Sequence, residues 1–281
     1  MSQTGLELGG ALQVPVWRGA EQVPGGAPFS QAEDWVVQEV PVALEYNGIT
    51  HAVMMVTPTD LEDFALGFSL TEGLIDQAGQ LLDCEVLERP QGVTLQLTVT
   101  AACFARFKDQ RRAMTGRTGC GLCGATSLDQ AVRTLPALPL SVAPPVAWSA
   151  LLRAMRDLRS AQVLLAQTGS AHAAAWCDAQ GQIQCLREDV GRHNALDKLI
   201  GALARQSGHA SVSGAVLVTS RASHEMVQKT AAAGVPVLAA VSGVTSLAIK
   251  TANATGVGLA GFVRHQDFGV YAHPERFLND V

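Results

Sequence analysis

The feature that most constrains this fold is a regular exchange of two periods in the C-terminal third of the chain. Residues 215–219 form a short apolar run, 223–233 a helical pattern, 235–241 a second apolar run, 245–254 a second helix and 258–263 a third strand. Strands that alternate with helices need crossover connections, and crossovers make neighbouring strands parallel. Upstream, Leu151, Leu152, Met155 and Leu158 make one apolar helix face behind Ser149 as its N-cap. Residues 173–177 and 182–186 read as strands, and Leu196, Leu199, Ile200 and Leu203 as another helix. The expected class is α/β in this half.

The first half is organised differently, which makes the whole chain α+β. Val42, Leu44 and Tyr46 alternate up to Asn47-Gly48, and Ile49, His51 and Val53 alternate after it. Asn-Gly between alternating runs predicts a hairpin with a tight turn. Thr59 and Glu62 have the spacing of a capping box ahead of a helix carrying Leu61, Phe64, Ala65 and Phe68. Val93, Leu95, Leu97 and Val99 predict a half-buried strand. A basic stretch with Arg106, Lys108, Arg111, Arg112 and Arg117 then leads into Gly119-Cys120-Gly121-Leu122-Cys123-Gly124. Pro136, Pro139, Pro144 and Pro145 punctuate the next connection. The expected layout is a flexible tail over 1–30, an α+β domain over 31–135 ending in the cysteine loop, a linker over 136–148, and an α/β domain over 149–281.

Composition narrows the function classes. Apolar residues are 48% and charged residues 16% of the 281, the reverse of a disordered chain. A net charge of -5 gives no global field favouring nucleic acid or an anionic membrane. The longest uncharged run, residues 230–249, approaches a membrane span in length. Gly234, Pro236, Ser242, Gly243, Thr245 and Ser246 interrupt it, so it reads as a buried strand and a helix. The first 30 residues lack the basic and apolar regions of a signal peptide. The expectation is a cytoplasmic protein with no nucleic-acid or membrane partner, whose six cysteines are mostly reduced.

Three places could carry chemistry. Cys120 and Cys123 sit among glycines, with cations upstream that would favour the thiolate, the reactive form of cysteine. A structural zinc site would need four ligands, and no second Cys-x-x-Cys exists. A thioredoxin-type dithiol would open a βαβ unit, whereas this motif precedes a proline-rich connection. A glycine turn with incidental thiols and a nucleophilic or sulfur-carrying thiol complete the set of readings. Cys84, Cys103, Cys177 and Cys185 lack such surroundings and read as small buried apolar residues. The second place is the pair of strand-to-helix turns at Ser220-Arg221-Ala222-Ser223 and Ser242-Gly243-Val244-Thr245-Ser246. In a parallel sheet both lie on one edge, where helix N-termini attract anions and open sheets bind ligands. Ordinary N-capping by Ser and Thr is the competing reading. The third is Glu188-Asp189-Val190-Gly191-Arg192-His193-Asn194, with Asp189 as a helix cap and surface charges beside it as the simplest account. His224-Glu225 begins like a zinc-protease helix, but Gln228 stands where a second His is required. The zinc-deaminase pattern is also missing, since Gly119 stands where that pattern has Pro before the Cys-x-x-Cys.

Four segments together resemble a known family: the cysteine loop, residues 188–198, residues 220–229, and Tyr271-Ala272-His273-Pro274-Glu275-Arg276. The chain resembles the FdhD family of formate dehydrogenase accessory sulfurtransferases from about Asp34 to Phe277, with the motif order kept. The resemblance implies a homodimeric, cytoplasmic protein whose α/β half has the cytidine-deaminase-like fold without its zinc. It implies sulfur taken as a persulfide from a cysteine desulfurase and passed to the molybdenum bis(molybdopterin guanine dinucleotide) cofactor used by formate dehydrogenase. By position, the persulfide falls on Cys120 and the second loop cysteine on Cys123. The family's cofactor-binding stretch, after the last strand, falls on Phe262, Val263, Arg264, His265, Gln266 and Asp267. Many relatives have glycines and a second arginine where this chain has His265, Gln266 and Asp267, and a carboxylate beside a pyrophosphate is repulsive. Ser220, Arg221, Ser242 and Thr245 would hold the nucleotide phosphates with Arg264. A cofactor chaperone without sulfur turnover is the alternative, and a thiol–disulfide oxidoreductase a third possibility.

Overall fold

A computed structural model describes residues 7–19, 29–115, 134–206, 214–264 and 267–280. The Asn47-Gly48 hairpin forms as expected: β4 (Val40–Tyr46) and β5 (Ile49–Val56) pair antiparallel, with Tyr46 opposite Ile49. Both turn residues have positive φ, 45° and 83°, the geometry that Asn-Gly adopts cheaply. With β7 (Gly92–Val99) and β6 (Leu81–Arg89) they make a four-stranded sheet ordered β5-β4-β7-β6. Helices α1 (Leu61–Thr71) and α2 (Ala101–Thr115) accompany it. Leu44, Tyr46, Phe64, Phe68, Leu95, Leu97 and Phe107 share one buried cluster.

Two details depart from expectation here. Thr59 does not cap α1: the cap position is Asp60, in the left-handed region and with no side-chain cap bond. Thr59 instead lies 3.5 Å from the Lys198 ammonium through its hydroxyl. The stretch expected as a loose tail contains a strand, β2 (Ala11–Gly19), which pairs along its whole length with β3 (Phe29–Val37), with β1 (Glu7–Leu8) at its base.

The second half is built on a six-stranded sheet. Its strands are β9 (His172–Asp178), β10 (Ile183–Asp189), β11 (Gly214–Val218), β12 (Val237–Ala240), β13 (Gly258–Arg264) and β14 (Asp267–Ala272). The order is β10-β9-β11-β12-β13-β14. The central three are parallel, as the alternation required, and the outer pairings are antiparallel. Period-two side chains serve both faces. Val216 and Val218 pack under α5 (Arg192–Arg205), α6 (His224–Ala232) and α7 (Ser246–Thr255). Ala215 and Leu217 pack on the opposite face against Leu151, Met155 and Leu158 of α3 (Trp148–Ala161), which the short α4 (Val163–Thr168) follows. Ser149 is not the cap of α3 but its second residue. Its N–H and hydroxyl both donate to the Asp280 carboxylate, at 3.0 and 2.6 Å, so the C-terminal segment satisfies this helix end. Two-residue strands β8 (Val146–Ala147) and β15 (Phe277–Leu278) pair beside it. Arg276, 2% exposed, donates to the carbonyls of Leu138, Pro139, Leu140 and Gly256, and so clamps the proline-rich connection onto the end of α7.

The two halves meet through α1 and α5. Gly67 and Gly201 face each other's helices so closely that a methyl at either would overlap a backbone carbonyl, Asp197 or Asp63 respectively. Charged groups lock the crossing. Lys229 donates to Thr71 (3.0 Å), Glu72 (2.8 Å) and Asp197 (3.0 Å). Burial alone would lower the Lys229 pKa, but the pull of Asp197 and Glu72 outweighs it and raises the value.

Candidate functional site

The ends of β11, β12 and β13 define one edge of the six-stranded sheet, and the turns leaving them are stitched together. The Ala222 N–H donates to the Gly243 carbonyl at 3.1 Å, and the Thr245 N–H to the Ala222 carbonyl at 3.2 Å. Ala222 and Val244 form an isolated parallel bridge. On the next strand, the Phe262 N–H donates to the Ser242 carbonyl at 3.0 Å. The helices α6 and α7 start from this edge, so both positive dipole ends face it.

The expected contact residues divide by what their side chains do. Ser220 is buried and its hydroxyl donates to the Arg221 carbonyl at 2.9 Å. Arg221 is exposed, and among the described residues nothing pairs with its guanidinium. Thr245 is the cap of α7, its hydroxyl accepting from the Ala248 N–H at 3.2 Å. Capping therefore accounts for Thr245. It does not account for Ser223, the cap position of α6, whose hydroxyl is buried without a hydrogen-bond partner among the described residues. Ser242 contributes its carbonyl to Phe262.

The stretch expected after the last strand lies elsewhere: Phe262, Val263 and Arg264 end β13, and Asp267 opens β14, the true last strand of this sheet. Phe268, Val270 and Ala272 continue the alternation that makes β14 a strand. Val263 is fully buried and serves the core. Phe262 is 43% exposed and has φ of 54°, unusual for a bulky residue. Its ring lies over Gly243, where an added Cβ would come within 2.9 Å. The Arg264 guanidinium sits 5.6 Å from the centre of that ring. Together with Asp267, Phe268 and Gly269 these residues line an open pocket beside the start of α7. Cys120, Cys123, His265 and Gln266 lie outside the described residues.

A second polar group occupies the same edge at β10. Asp189 is not a helix cap, which is Gly191. It is fully buried at the end of β10 and accepts from the Thr57 N–H (3.0 Å), the Gly191 N–H (2.7 Å) and Asn194 Nδ2 (3.0 Å). Its partner is Lys198 Nζ at 2.7 Å, also fully buried, which donates to the Thr57 carbonyl as well. Removing one member of such a pair strands a buried charge and costs about 3–5 kcal/mol. Nearby, His193 Nε2 lies 2.8 Å from the Glu225 carboxylate and joins the first turns of α5 and α6. The His193 ring beside it holds the Glu225 carboxyl below the usual range. His172 is shifted down by burial and by Arg192. The Lys198 role was missed because a lysine beside an aspartate on a helix usually marks a solvated face. The signal was their placement: Asp197 and Lys198 stand within the run 195–203, where the neighbouring positions are apolar or glycine.

In chemical terms the site offers a positive helix edge, two arginines and an exposed aromatic ring on a mixed α/β scaffold, an arrangement suited to a phosphate-bearing ligand with a planar group. The chain belongs to the FdhD/NarQ family, whose model matches residues 37–278. It is 59% identical over 86% of both chains to the sulfur carrier protein FdhD of Variovorax paradoxus. It is 55% identical, again over 86% of each, to the sulfur carrier protein FdhD of Bordetella petrii. A crystal structure of a protein assigned as a formate dehydrogenase accessory protein from Desulfotalea psychrophila superposes with a TM-score of 0.72 at 25% identity, covering 95% of this chain and 99% of that one. Among the described residues no helix is long and apolar enough to cross a membrane.

Proposed function

We propose that this protein is a sulfur carrier serving a formate dehydrogenase, and that it delivers sulfur to a molybdenum bis(molybdopterin guanine dinucleotide) cofactor held as substrate at the sheet edge. The observation that supports this reading best is the continuous edge made by Arg221, the α7 start, Phe262 and Arg264, combined with relatives that are named sulfur carriers. Helix N-termini and arginines suit the dinucleotide phosphates.

In this reading the Cys120 thiolate attacks the outer sulfur of a persulfide on a cysteine desulfurase. The donor's S–S bond breaks, its cysteine leaves as thiolate, and Cys120 carries the persulfide. The Cys123 thiolate then attacks Cys120 Sγ and releases the outer sulfur as hydrosulfide, which becomes the terminal sulfido ligand on molybdenum. The two electrons come from the two thiols, which end as a disulfide and are reset by a cellular thiol. A homodimer in the cytoplasm is part of the same proposal.

The test is complementation. In a strain lacking its own sulfur carrier, the wild-type chain restores formate dehydrogenase activity and Cys120→Ala does not. Full activity with Cys120→Ala would overturn the carrier reading and leave a cofactor chaperone.

A further inference from the structure

The sheet edge has two ends, and phosphate binding uses one of them. Phe262, Arg264 and the α7 start lie at the β13 end. The α5 and α6 starts lie toward β10 and β11. In the sheet order β11 and β13 are two strands apart, which is about 10 Å at ordinary strand spacing. An extended dinucleotide held by its phosphates near β13 spans more than that distance, so its far end comes to the second group of side chains.

That group is of a different kind. His193 Nε2 lies 2.8 Å from the Glu225 carboxylate. Two lone pairs at this distance would repel, so Nε2 carries the ring proton and Nδ1 keeps the free lone pair. Among the described residues no hydrogen bond occupies Nδ1, and the side chain is 28% exposed. The charged groups around it are Arg192 on α5, His172 on β9, Asp189 at the end of β10 and Lys229 on α6. Asp189 is committed to Lys198, and Lys229 to Asp197 and Glu72. Glu225 is therefore the carboxylate left to answer a positive charge on the ring.

Cross-linking of α5 to α6 does not explain a histidine here. One turn further along both helices, Asp197 and Lys229 already make that link at 3.0 Å. The rungs are four residues apart on each helix. A permanent cation would serve the outer rung equally well, whereas imidazole is the side chain that exchanges its proton near neutral pH.

Sulfur delivery has a proton to place. The outer sulfur leaves Cys120 as hydrosulfide and ends as a sulfido ligand. Its S–H bond breaks, the electron pair stays on sulfur, and the sulfur–molybdenum bond forms. We infer that His193 accepts this proton at Nδ1, while Glu225 orients the ring and offsets the imidazolium charge before the proton passes to water. The N-termini of α5 and α6 hold the hydrosulfide anion nearby. The inference rests on the delivery reading above and adds to it the residue that moves the proton.

The test separates loading from delivery. The full chain is loaded with a cysteine desulfurase and free cysteine, separated from the desulfurase, and mixed with a formate dehydrogenase whose cofactor lacks the sulfido ligand. Intact mass reads loading, and the rate at which formate oxidation appears reads delivery. His193→Ala should load like wild type and deliver about 100-fold more slowly, the lower part of the range for losing a general base. Free imidazole should restore much of that rate and leave wild type unchanged. Glu225→Gln keeps the ring and loses the charge behind it, and should slow delivery by less than His193→Ala. Delivery at the wild-type rate by loaded His193→Ala would overturn the inference and leave the delivery reading intact. Slow delivery that imidazole does not restore would do the same, because a structural role predicts it. If His193→Ala does not fold, Glu225→Gln decides: slowed delivery with loading intact supports the inference, and the wild-type rate overturns it. A loaded wild-type chain that never activates the enzyme would sink the delivery reading itself.

Discussion

Burial holds three of this protein's thiols in the protonated form: Cys84 is pushed up to about 11, Cys177 to about 12, and Cys185 upward as well. At pH 8 the Cys84 thiolate fraction is about one in a thousand, too little for fast alkylation. Iodoacetamide applied to the native protein at pH 8 should therefore leave these three unmodified and label Cys120 and Cys123. Labelling of Cys84 should rise only as the pH approaches 11. Rapid adducts on Cys84 or Cys177 at pH 8, read by peptide mass spectrometry, would contradict this assignment. The same scale shows what single residues in a sequence hide. Asp189 stands just ahead of a helix, where local patterns make aspartate a cap. Its true partners include the Thr57 N–H, 132 residues away. No spacing rule reports a contact at that separation.

Elements with a strong period were legible, and those shaped by distant partners were not. The β11-α6-β12-α7-β13 run follows from residues 214–264 alone, because buried parallel strands and amphipathic helices differ plainly in period. The β2 strand was hidden because most of it stays partly or fully exposed and it contains Pro15, so no clean inside–outside alternation marks it. The edge itself was readable as a pair of strand-to-helix turns. What was not readable was that Phe262 would bridge from β13 onto Gly243, since that depends on register between strands. The α1–α5 crossing is the clearest element-scale device. Its two glycines are required by close backbone approach, not by dihedral angle. Gly67→Ala should lower unfolding free energy by about 3 kcal/mol, the upper part of the range for overpacking, because a backbone carbonyl cannot move aside as a side chain can. Urea denaturation would measure it, and a loss below about 1 kcal/mol would show that the helices separate easily.

At the scale of the whole molecule, the two halves behave as one body. Lys229 and Asp197 are buried, and with Glu72 and Thr71 they tie α1, α5 and α6 together. Unfolding followed by circular dichroism and by tryptophan fluorescence should therefore give a single coincident transition. Lys229→Met, which strands the Asp197 carboxyl, should lower the midpoint while keeping one transition. Two resolved wild-type transitions would contradict this coupling. The coupling matters for function because it fixes the strand-end pocket of one half against the half that leads into the cysteine loop. The central claim is that Cys120 carries sulfur to that edge. The most direct test is intact mass after anaerobic incubation with a cysteine desulfurase and free cysteine, for wild type, Cys120→Ala and Cys123→Ala. The account predicts a gain of one sulfur atom, lost on reduction, in wild type and Cys123→Ala and absent from Cys120→Ala. No gain in any of the three, or an equal gain in Cys120→Ala, would contradict it.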